Sequence, residues 1–173
     1  TIAELQTPKN IIMVIADGMG PAYTSSYRYF NDDPLTEHVE ETVFDRLLVG
    51  SASTYPARIS GVVTDSAAGA TALATGFKTY NGAIALETVL EFAKKQGKKT
   101  GVVVTSQINH ATPASYLAHN ESRENYNAIA DSYLDDGIKA DVYLGGGWKY
   151  FLRDDRNLID EFKASGFQYI DNY

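Results

Sequence analysis

Four places in the chain carry residue types suited to chemistry: Asp17, the pair Asp65-Ser66, the run Asn109-His110-Ala111-Thr112, and Arg123. Asp17 opens Asp17-Gly18-Met19-Gly20 directly after an apolar run. Asp-Gly is common turn chemistry, and a carboxylate at a strand end is also placed to hold a cation. Asp65 and Ser66 precede Ala67-Ala68-Gly69-Ala70-Thr71-Ala72. Either can cap a helix that stops at Gly76, and a serine there lies at the positive end of the helix dipole, where phosphate is favoured. Serine is a weak nucleophile unless a base or a metal activates it. No Ser-His-Asp arrangement has a recognisable spacing, so a metal is the better activator. Of the three histidines, His38 lies in an acidic loop and reads as exposed, and His119 reads as structural or exposed. His110 follows a strand and can assist a metal or phosphate site. None forms an HExxH pair. Arg123 reads either as a surface arginine or as a bidentate phosphate clamp.

Other phosphate motifs fail. Gly97-Lys98-Lys99-Thr100 resembles the end of a P-loop, but Phe92 stands where the upstream glycine belongs and Lys99 where Ser or Thr belongs. Gly145-Gly146-Gly147 has Tyr150 where a dinucleotide fingerprint needs glycine or alanine.

The elements that must position these residues alternate. Residues 10–16, a continuous apolar run from Ile11 onward, read as a strand buried on both faces. Leu86, Val89, Leu90 and Ala93 recur at helical spacing, with Gly97 as the stop. Residues 101–105 read as a second buried strand, Tyr126 to Leu134 as an amphipathic helix, and 140–144 as a third strand. A helix over 158–164 and a strand over 167–170 follow. Such alternation predicts an α/β layered fold, a largely parallel central sheet flanked by helices.

Composition narrows the function classes. The chain has 173 residues, 44% hydrophobic and 21% charged, which suits one globular domain and excludes a disordered or collagen-like chain. A net charge of −7 without a basic cluster argues against nucleic acid as a specific partner and against an anionic membrane surface. The longest apolar run is far short of a membrane span. The absence of cysteine removes disulfides, thiolate metal sites and cysteine nucleophiles. The acidic stretch 31–41, broken by Pro34, reads as a solvated loop.

Taken together, Val14-Ile15-Ala16-Asp17-Gly18-Met19-Gly20, Thr64 to Ala72, His110-Ala111-Thr112-Pro113-Ala114, Ala118-His119-Asn120-Glu121-Ser122-Arg123 and Ala140 to Gly147 resemble the alkaline phosphatase family, bacterial type, in order and over nearly the whole chain. The resemblance implies hydrolysis of phosphate monoesters with a phosphoserine intermediate on Ser66. It implies that Asp17 bridges one zinc and the magnesium site, and that Thr112 is a magnesium ligand. Ser66 would also meet zinc, Arg123 would grip two phosphate oxygens, and Asp65 would orient Arg123. His110 stands where relatives carry Asp or His, near the magnesium site. Two zinc ions and one magnesium ion are implied as cofactors, as are a homodimer, a periplasmic or secreted location and small monoester substrates.

The family draws further Asp and His zinc ligands, and a magnesium Glu, from later in a longer chain, whereas no histidine follows His119 here. Zinc takes about four ligands, so the expectation is the N-terminal part of one catalytic domain, with residues 1–173 lacking a complete zinc site. By the resemblance, the stretch Ala83-Ile84-Ala85-Leu86 is shorter than expected, which points to residues missing within the chain; the chain opens without Met, compatible with removal of a targeting segment or with a trimmed start. Competing readings are a non-catalytic scaffold and a related phosphodiesterase or sulfatase. The missing cysteine disfavours a sulfatase, and Ser66, where diesterases usually have Thr, disfavours a diesterase.

Overall fold

A computed structural model describes residues 8–84 and 86–171, which fall into two compact units, Thr1–Ser51 and Ala52–Tyr173. In the first, the apolar run is followed by a turn in which the Met19 N–H donates to the Ala16 carbonyl (3.1 Å) and Gly18 takes a φ of 75°. Helix α1 (Pro21–Asn31) then starts with Pro in its first turn, where the missing N–H costs nothing. Helix α2 (Val43–Leu47) is started by a reciprocal capping box between Thr42 and Asp45. Arg28 of α1 pairs with Asp45, and Tyr27 meets Phe44 edge to face, so the short α2 is held by α1 as well as by its cap. The acidic loop between them is exposed, as its composition predicts, and is closed by the Glu40 carboxylate, which accepts from the Asp33 N–H and the Thr36 hydroxyl (both 2.8 Å).

The second unit carries α3 (Ser66–Thr75), α4 (Val89–Lys95), β1 (Gly101–Gln107), α5 (Ala111–Leu117), α6 (Tyr126–Asp135), β2 (Val142–Gly146), α7 (Trp148–Phe151) and α8 (Leu158–Ala164). β1 and β2 pair in parallel, Gly101 opposite Val142 and Val103 opposite Leu144, with a register shift before Gln107 meets Gly146. Parallel strands need a long crossover, here supplied by α5 and α6. The core joins Ala67 of α3, Leu117 of α5, Ile129 and Tyr133 of α6, Phe151 of α7 and Leu158 of α8. Tyr133 stacks on Tyr143 of β2, which meets Phe162 of α8. The Tyr133 hydroxyl donates to the Ile108 carbonyl (2.6 Å) at the end of β1.

α3 and α5 pack through small residues. The Ser115 hydroxyl lies 3.3 Å from the Ala67 carbonyl and 3.4 Å from the Thr71 hydroxyl, and these residues are buried. A run of Ala, Gly, Ser and Thr lets the two helices approach closely enough for the short Ser115 side chain to reach the α3 backbone, which longer side chains would prevent.

The α/β class, the parallel pairing and the helices over 66–75, 126–135 and 158–164 follow the sequence reading. Three expectations are corrected. Residues 10–16 form no strand: Ile11, Ile12 and Val14 are 84–89% exposed, and no described strand of the first unit offers them a ladder. An apolar run marks a wish for burial, but a strand exists only with a partner. Residues 167–170 likewise form no strand; Phe167 turns onto Phe162 and Tyr143. β1 is not buried on both faces, since Gly101, Val103 and Thr105 are exposed in alternation with half-buried Val102 and Val104.

Candidate active site

Asp65 settles which residue caps α3. It has extended backbone (ψ 176°), and its Oδ1 accepts from the Ala68 N–H (2.9 Å) while its carbonyl accepts from the Gly69 N–H (3.0 Å). Ser66 is thereby the first residue of the helix, half-buried at its positive end. The second carboxylate oxygen of Asp65 faces outward from the cap. It accepts from the Gly82 N–H (3.0 Å) and from Nη1 of Arg123 (3.1 Å).

Arg123 is no loose surface arginine. Its side chain is 20% exposed, Nη2 lies 3.4 Å from Nε2 of His110, and its backbone N–H donates to the Gly82 carbonyl (2.7 Å). His110 in turn caps α5, its carbonyl accepting from the Ala114 N–H (2.9 Å). Thr112 is the second residue of that helix and half-buried. Arg123 therefore stands between the residues that begin α3 and α5, with one N–H toward Asp65 and one toward His110. A guanidinium carries five donors in a planar fork, so capacity remains for a tetrahedral oxyanion.

Asp65, Ser66, His110, Thr112 and Arg123 thus share the second unit, and Asp17 belongs to the first, where it lies exposed in its turn. His38 is exposed. His119 is placed elsewhere: its Nε2 lies 2.9 Å from Glu91, which also accepts from the Thr88 N–H and lies 3.5 Å from the buried Lys139 ammonium. Burial works to raise the Glu91 carboxyl, but the Thr88 N–H, His119 and Lys139 outweigh it and hold it below the usual range.

Inspection of the sequence missed Asn81 and Gly82. The Asn81 carboxamide accepts from the Asp65 N–H (3.0 Å) and donates to the Val63 carbonyl (2.9 Å), and its own N–H donates to the Ser60 hydroxyl (2.9 Å). The available signal was the Asn-Gly dipeptide, a turn former, and Gly82 indeed has a φ of +89°.

Asp17 of the first unit offers a carboxylate, and Ser66 and Thr112 of the second each offer a hydroxyl, ligand types that suit a hard cation. The Asp65 carboxylate is engaged by three N–H groups. Among the described residues there is no group of three or more His, Cys, Asp or Glu able to hold a metal ion.

Against this geometry, the alkaline phosphatase family model matches residues 8–173. The chain belongs to the alkaline phosphatase family. Alkaline phosphatase 3 of Bacillus subtilis is 54% identical over 95% of the chain, and the Escherichia coli enzyme 33% over 94%. The crystal structure of a cold-active alkaline phosphatase from Shewanella sp. superposes with a TM-score of 0.83 at 62% identity, covering 91% of this chain. The alkaline phosphatase of the Antarctic bacterium TAB5 covers 67% at 39% identity, with a TM-score of 0.61, and one variant of it holds Mg in its M3 site. The chain matches an N-terminal part of these relatives: 38% of the Bacillus protein, 41% of the Escherichia protein and 40% of the Shewanella chain.

Proposed function

We propose that the protein hydrolyses phosphate monoesters through a phosphoserine on Ser66. The observation that carries this reading is the Asp65-held Arg123 beside the helix that begins at Ser66. Arg123 binds two non-bridging oxygens of the substrate phosphate and presents phosphorus to Oγ of Ser66. The Oγ–P bond forms as the bond from phosphorus to the ester oxygen breaks; the Ser66 proton passes to solvent water, which returns one to the departing alkoxide so that it leaves as the alcohol. Water then attacks the phosphoserine, its P–Oγ bond breaks, Ser66 regains a proton and inorganic phosphate departs. Charge gathers on the equatorial oxygens in the transition state, which the guanidinium of Arg123 would stabilise.

A serine hydroxyl needs an activator at mild pH, the role that the resemblance gives to zinc. Asp17, Ser66 and Thr112 are the residues of this chain that we assign to metal, and His110 to a supporting role. The remaining zinc and magnesium ligands belong, on this reading, to the length of the relatives that the chain does not span. The same resemblance supports residues 1–173 as part of one catalytic domain, a homodimer and a periplasmic or secreted location.

The test is hydrolysis of an aryl phosphate monoester and of a bis-ester by the metal-loaded full-length protein. We expect turnover of the monoester, loss of it in Ser66→Ala, and little turnover of the bis-ester. Equal rates on the two esters would overturn the monoesterase reading.

A further inference from the structure

We propose that Asn81 and Gly82 form a positioning element that aligns Arg123 with Ser66, a role that rests on the phosphomonoesterase reading above. The sequence separation makes the problem concrete: Arg123 and Asp65 are 58 residues apart, so no single helix or turn sets their distance. The Asn81-Gly82 peptide is the part that touches both. On one side, the Asn81 carboxamide grips the chain just ahead of Ser66 at two points, accepting the Asp65 N–H (3.0 Å) and donating to the Val63 carbonyl (2.9 Å). On the other, Gly82 donates its N–H to Oδ2 of Asp65 (3.0 Å), the oxygen that Arg123 also uses, and its carbonyl accepts the Arg123 N–H (2.7 Å). The backbone of the arginine, the carboxylate that holds its guanidinium and the peptide preceding the serine therefore meet on one dipeptide.

Asn81 is suited to this because a carboxamide both accepts and donates. A hydrophobic residue there would leave the Asp65 N–H and the Val63 carbonyl without those partners. Gly82 is suited because its φ of +89° is costly for any residue with a Cβ, even though a Cβ there would meet nothing within 4 Å. The Asn81 N–H is in turn tied to the Ser60 hydroxyl (2.9 Å), which fixes the dipeptide against the 3-10 turn over Arg58–Ser60.

The test is a double-mutant cycle on inorganic phosphate affinity in the metal-loaded full-length protein, with folding of each variant checked by circular dichroism. Arg123→Ala alone should weaken phosphate about ten- to a hundred-fold. In an Asn81→Ala background the same change should cost less than about three-fold, because the guanidinium has already lost its alignment. A merely structural role for Asn81 would lower thermal stability and leave the Arg123 cost intact. Gly82→Ala, whose strain is local, reads the same coupling if Asn81→Ala does not fold. An Arg123→Ala effect that is full in both backgrounds overturns the positioning role alone. An Arg123→Ala change without effect in the unaltered protein overturns the phosphate reading, and this inference with it.

Discussion

At the scale of single residues, the site is a set of shared partners. Asp65 caps α3 with one oxygen and holds Arg123 with the other, so the residue that starts the helix also aims the guanidinium. Arg123→Ala should therefore weaken phosphate binding by about 1.5–3 kcal/mol, the range for a hydrogen bond to a charged group. Titration calorimetry with inorganic phosphate checks this, and an unchanged affinity would remove Arg123 from the site. The residue types were legible in the sequence: Ser66 beside a capping Asp, and an arginine near a helix start. Their partnership was not, because local spacing cannot report a contact made across 58 positions. Only the resemblance to a family put Asp65 and Arg123 together. Asn81 escaped notice for a related reason, since a turn-forming dipeptide shows where the chain bends and not what its amide will hold.

At the scale of elements, legibility followed the source of each element's stability. α8 was read to its ends because apolar spacing and a local cap define it: the Asn157 side chain accepts from the Asp160 N–H. α5 was not foreseen, being one short helix whose burial comes from packing on α3. Residues 10–16 and 167–170 misled because apolar runs carry no information about a ladder partner. The β1–β2 pair, by contrast, offers a sharp test of packing. A Cβ on Gly145 would lie 2.5 Å from Cγ2 of Ile108, 2.6 Å from Cγ2 of Val104 and 3.1 Å from the Ser106 carbonyl oxygen. Both side chains are β-branched and stiff, so neither can swing aside. Gly145→Ala should cost about 1–3 kcal/mol in urea unfolding. Because β1 runs directly into Asn109-His110, it should also perturb the site. Wild-type stability in that variant would refute the close packing of β2 on the end of β1.

At the scale of the whole molecule, acid should be the sensitive direction. Hydrogen bonds from Arg28 hold the Asp45 carboxyl well below the usual range, Lys94 does so for Asp141, and Arg156 lowers both Asp135 and Glu161. Each of these carboxyls is lower in the folded than in the unfolded chain. Their contribution is complete above the unfolded values near pH 4 and is lost as pH falls through the folded values. The melting temperature should hold between about pH 7 and 5 and fall steadily below about pH 4, less steeply in high salt. A melting temperature that stayed flat into strong acid would show that these pairs contribute nothing.

On the proposed function, Ser66 carries the phosphoryl group between substrate and water. Mass spectrometry of the Ser66 peptide, after acid quenching of the metal-loaded full-length protein with inorganic phosphate, tests it most directly. One phosphoryl group is expected on Ser66 and none in Ser66→Ala. A trapped phosphoryl group that survives in Ser66→Ala would contradict it.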